Sequence, residues 1–131
     1  MLNTEQLTSQ LVAYLTPSDD SFPVYPAFFD EESYNPTGTV AVSVTGIQQI
    51  NPGLNDYQVN IAVQIQSHAQ YDDGYQNSAH IFRIILAALK RIPIFSEEFP
   101  DVVGILPFSV ESAYEPESRQ ITIHLPLILS F

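Results

Sequence analysis

No cysteine occurs in the 131 residues, which excludes a disulfide framework, a thiol nucleophile and a thiolate metal site. Cations are nearly as scarce. Four Lys and Arg stand against fifteen Asp and Glu, for a formal net charge of −11. That balance repels DNA and anionic membranes at long range and argues against a basic nucleic-acid groove. The five glycines are scattered singly, so there is no glycine-rich phosphate loop and no Gly-x-Ser-x-Gly turn to present a serine nucleophile. No apolar run approaches the roughly 20 residues that span a bilayer. Met1-Leu-Asn-Thr lacks the basic start of a signal peptide. The expectation is a soluble, unexported chain with no membrane partner.

What is present is sheet pattern. Tyr57, Val59, Ile61, Val63 and Ile65 alternate with amide-rich positions, and Ile121, Ile123, Leu125, Leu127, Leu129 and Phe131 alternate with mostly other side chains. Period-two alternation is the mark of a half-buried strand. With 45% apolar residues over this length, one core and one domain, 1–131, are expected. Asn3 and Gln6 form a helix start, Leu7, Leu11, Tyr14 and Leu15 share a face, and Pro17 stops the helix. Residues 18–38 read as a long connection rich in proline, aromatics and acids, with one short extended stretch near Val24. Residues 39–67 read as a long hairpin turning at Asn51–Asp56, with Gly46 marking a bulge. Asp72 or Asp73 caps a second helix with Ile81, Phe82, Ile85, Ala88, Leu89 and Ile92 on its apolar stripe, ended by Pro93. Val102–Tyr114 and the final alternating run form a second hairpin, the last strand lying at an edge or bulged at Pro126. The expected fold is therefore α+β: a mainly antiparallel sheet of two hairpins, with two helices packed on one face in the order helix, hairpin, helix, hairpin.

Catalytic constellations are thin. His68 precedes Asp72 and Asp73 at a spacing a metal could use, yet a helix cap and a polar strand end explain the same residues. His80 and His124 have no second histidine at a fixed short spacing. The carboxylate pairs Asp19 with Asp20, Asp72 with Asp73, and Glu97 with Glu98 are the kind that solvated loops carry. No catalytic, cofactor or metal residue is assigned, and an enzyme is not expected. Three of the four cations, Arg83, Lys90 and Arg91, fall on the second helix. They compensate the helix dipole, or they form a basic strip that meets an acidic patch on an identical neighbour. The aromatic stretch with Phe28 and Phe29 either covers the core or lies on another subunit.

The order of a short helix (Glu5–Leu15), a hairpin (Val40–Ile65), a helix (Ala79–Arg91) leading into Ile92-Pro-Ile-Phe95, and two closing strands resembles the tail terminator, or tail completion, proteins of long-tailed bacteriophages. The stretch from Pro17 to Pro36 is longer than that family needs. The resemblance implies a homohexameric ring that caps the head-proximal end of the tail tube, stops its polymerisation and offers a docking face to a neck or head completion protein. Its partners would be other copies of the chain and the tail tube protein, with DNA passing through without specific binding. It would form in the host cytoplasm and reside in the virion. Asp72, Asp73, Glu97 and Glu98 are then candidate lumen acids, and Arg83, Lys90, Arg91, Phe28 and Phe29 candidate interface residues. The alternatives are another head-tail connector or neck protein, or an acidic DNA-mimic inhibitor.

Overall fold

The computed structural model describes residues 4–19, 21–26, 38–51, 55–68, 72, 76–94, 96–114 and 118–130. Its elements are α1 (Thr4–Leu15), β1 (Val24–Pro26), β2 (Thr39–Gln49), β3 (Asp56–His68), α2 (Gln76–Leu89), β4 (Val102–Ile105), β5 (Ser109–Tyr114) and β6 (Ser118–Ser130). The strands form one six-stranded mixed sheet in the order β1-β2-β3-β6-β4, with β5 also paired to β6. The expected pair of hairpins in helix-hairpin-helix-hairpin order is thus corrected on two counts.

The first is β1. Val24 is buried and aligned with Val40, and the two strands run parallel. The chain between Pro26 and Thr39 is about the dozen residues that a parallel return requires. The short extended stretch expected near Val24 within the connection is therefore a strand at the edge of the sheet. The second is the region 102–114, expected as one strand. It is two, because β4 ends at Ile105 opposite Leu127, and β5 begins at Ser109 opposite His124. Pro126 lies on β6 opposite the break, and its carbonyl accepts from the Leu106 amide at 3.0 Å. A strand residue directs its N–H and C=O to the same neighbour, so the donor that Pro126 lacks would have pointed into this gap. Pro107 sits in the gap as well and offers no donor either. Consequently β6 is neither an edge strand nor bulged at Pro126 in its ladder with β3, the two alternatives that Pro126 led one to expect. It is central, paired to β3 along its whole length from Asp56↔Ser130 to His68↔Ser118.

The register produces continuous apolar rows on one face. Val24, Val40, Ile65 and Ile121 form one row, and Val42, Val63, Ile123 and Val110 the next. Ile47, Val59, Leu127 and Ile105 form a third. The two helices cover this face with Leu7, Leu11 and Leu15 from α1 and Ile81, Ile85 and Leu89 from α2, all buried in one cluster with the strand residues. Each fully buried aliphatic side chain contributes roughly 1.5–3 kcal/mol. β2 is bulged between Val44 and Gly46, and the Ile50 amide donates to the Asp56 carbonyl at 3.1 Å to close its hairpin with β3. The opposite face carries Gln58, Asn60, Gln64, Gln66 and Thr122 and has no helix on it among the described residues.

Candidate interaction surface

α2 is anchored at both ends. At its start Asp72, only 2% exposed, accepts the Asn77 amide at 2.7 Å and the Ser78 amide at 3.0 Å. Two otherwise orphaned donors of the first turn are satisfied in this way. Burial raises the pKa of this carboxyl. The Asn77 amide, the facing Ser67 hydroxyl and the Ser78 amide and hydroxyl lower it by more, so it lies below its ordinary value. At the other end the Lys90 amide donates to the Leu86 carbonyl and the Arg91 amide to the Ala88 carbonyl, each at 3.0 Å. The Tyr14 hydroxyl also donates to Ala88, at 2.7 Å, and its ring meets Phe99 edge-on at 5.6 Å. Burial raises the Tyr14 pKa, the Glu98 carboxylate raises it further, and Arg91 opposes both. Arg91 and Glu98 therefore act on the same hydroxyl from opposite signs.

The residues singled out from sequence divide as follows. Arg83, Lys90 and Arg91 are all exposed, the first within α2 and the other two just past its end. Glu97 and Glu98 are exposed in the turn held by Ser96, whose hydroxyl donates to the Pro93 carbonyl and accepts from the Phe99 amide. Arg91 and this acidic pair thus share one end of the molecule. Arg83 and Lys90, seven residues apart, lie on one stripe of α2. Asp72 is buried as a helix anchor and presents no charge to solvent. Asp73, Phe28 and Phe29 lie outside the described residues.

Beside Lys90 a shallow groove of about 360 Å³ runs between the end of α2 and the link from β4 to β5, lined by Leu89, Ile105, Leu106, Pro107 and Phe108. Leu106 and Ile84 of this region are exposed, and Val110 on β5 is 47% exposed. At the far edge of the sheet Ile47, also 47% exposed, and Ile50 are likewise open. These two apolar edges were not singled out from sequence. Their signal was present in the absence of any Asp, Glu, Lys or Arg between Glu32 and Asp56, and in Pro107 splitting the expected strand.

A second groove, about 430 Å³, lies between the start of α1 and β2, lined by Thr4, Glu5, Thr8, Pro26, Val42 and Val44. His124 Nε2 stands 3.6 Å from Glu111 Oε1 on the amide-rich face. Among the described residues no group of three or more His, Asp and Glu side chains is arranged to hold a metal. No described helix is long and apolar enough to cross a membrane. Exposed aliphatics occur at both sides of the sheet, and on the β4–β5 side they border the cation Lys90. The chain matches no protein-family model and no curated protein.

Proposed function

We propose that this chain is a structural assembly subunit that joins copies of itself head to tail into a closed, hexameric ring. The observation that carries the reading is the clustering of cations. Three of four cations lie in the C-terminal half of α2 or just past its end, with the exposed aliphatic Leu106 beside Lys90, in a chain of net charge −11. Such a strip attracts the acidic surface of a second copy, and a contact between two unlike patches propagates head to tail, giving a ring where its rotation closes. The ring's place at the head-proximal end of a phage tail tube, where it would stop polymerisation and receive the neck, rests on the resemblance to tail terminators. In that setting Glu97 and Glu98 are the two of the four lumen candidates that are described and exposed, and negative charge there would let DNA slide without adhering.

Light scattering across protein and salt concentration, followed by negative-stain imaging, tests the reading. A mass near six chains and annular particles are expected. A monomer under every condition overturns it.

A further inference from the structure

We infer that the contact between copies is a continuation of the sheet, in which β5 of one subunit pairs antiparallel with the outer edge of β2, Ser43–Gln48, in the next. The inference rests on the head-to-tail reading and specifies its interface. β1, β2 and β6 run in one direction and β3, β4 and β5 in the other. The two sides of the sheet therefore expose strands of opposite sense. Rotating one copy about a cyclic axis sets β5 beside β2 of its neighbour in the antiparallel sense, and keeps the helices of both on the same face.

Both edges are open among the described residues. β1 covers β2 only over Val40–Val42, and β5 pairs only with β6. Open edges are usually guarded by charge, proline or brevity. The β2 edge has no charged residue and no proline over Thr39–Gln49, and its single guarding feature is the bulge at Val44/Gly46. β5 carries one charge, Glu111. Val110 shares the helix-side face with Val44 and Ile47, as the apolar rows show. Joining these edges covers aliphatics that the single chain leaves exposed.

The symmetric alternative, β5 against β5, is disfavoured by the position of Glu111. It lies at the middle of the six-residue strand, so a two-fold axis there brings two carboxylates onto adjacent positions, and like charges across strands destabilise pairing.

The lack of cysteine makes the test clean. One cysteine is placed at Ser109, Glu111 or Ala113 on β5 and one at Ser43, Thr45 or Gln48 on β2, all on the amide-rich face, singly and in all pairs. Neighbouring antiparallel residues fall within the Cα separation that a disulfide allows. Under oxidation at least one double variant should give a covalent ladder ending at the ring, while single variants stay uncrosslinked. V110K should return the oligomer to monomers with its circular dichroism unchanged. Crosslinked dimers from single variants would overturn the inference in favour of the symmetric contact. Rings in which no pair crosslinks would overturn it and leave the ring standing. A protein that forms no oligomer would overturn both.

Discussion

Asp72 shows how one residue type carries different meanings at sequence and structure. Its place before a helix made it a cap candidate, and its charge in an acidic chain made it a lumen candidate; the two amides that it accepts favour the first. Its folded pKa is depressed, below the unfolded value of about 3.9. The stabilisation is therefore present above that value and lost as pH falls through the folded pKa. Asp72→Ala should cost roughly 1–2 kcal/mol near neutral pH, and the gap between variant and parent should close in acid, read by urea unfolding at several pH values. Asp72→Asn, which keeps one acceptor oxygen, should lose less and show a weaker acid dependence. Tyr14→Phe removes only the hydrogen bond to the Ala88 carbonyl and keeps the ring on Phe99. A cost of about 0.5–1.5 kcal/mol is expected by the same measurement.

Among the elements, a core substitution and an edge substitution should have opposite signatures. Leu125 lies on the central strand, fully buried, and Leu125→Ala should cost about 2–5 kcal/mol in unfolding free energy. Val110 belongs to a strand paired on one side and is 47% exposed in the single chain, so Val110→Ser should change the stability of the dissociated monomer by no more than about 0.5 kcal/mol. If denaturation of the monomer shows comparable losses at both positions, β5 is packed within the single chain rather than open. This contrast also explains what could be read in advance. β3 and β6 are legible because alternation over long runs is set by a single buried face, whichever strands lie alongside. The extended stretch near Val24 was legible, but its place in the sheet was not, because three residues cannot display a period and the pairing depends on Val40, far along the chain. The β4–β5 break turned on Pro126, whose effect depends on which neighbour its missing donor faces. A strand's neighbours, unlike its pattern, are a tertiary property.

For the whole molecule the same asymmetry decides the proposed surface. Composition made the acidity visible, and the positions of Arg83, Lys90 and Arg91 made a basic strip visible. That Lys90 borders the apolar groove of Leu106 and Phe108 could not be seen until the strands were ordered. Arg91 sits with Glu98 around Tyr14, which leaves Arg83 and Lys90 as the cations better placed to meet another copy. Exposed ion pairs contribute only about 0.2–1 kcal/mol each and are screened by salt. Apolar edge pairing, by contrast, is insensitive to moderate salt. The two contributions to assembly can therefore be separated. Arg83→Glu combined with Lys90→Glu should weaken the oligomer most at low ionic strength, where repulsion between acidic copies is least screened, and added salt should restore part of the mass seen by light scattering. V110K should leave monomers whose mass salt does not rescue. If the double charge reversal leaves the oligomer's mass and salt dependence unchanged, α2 does not take part in the contact, and assembly must be attributed to the sheet edges alone.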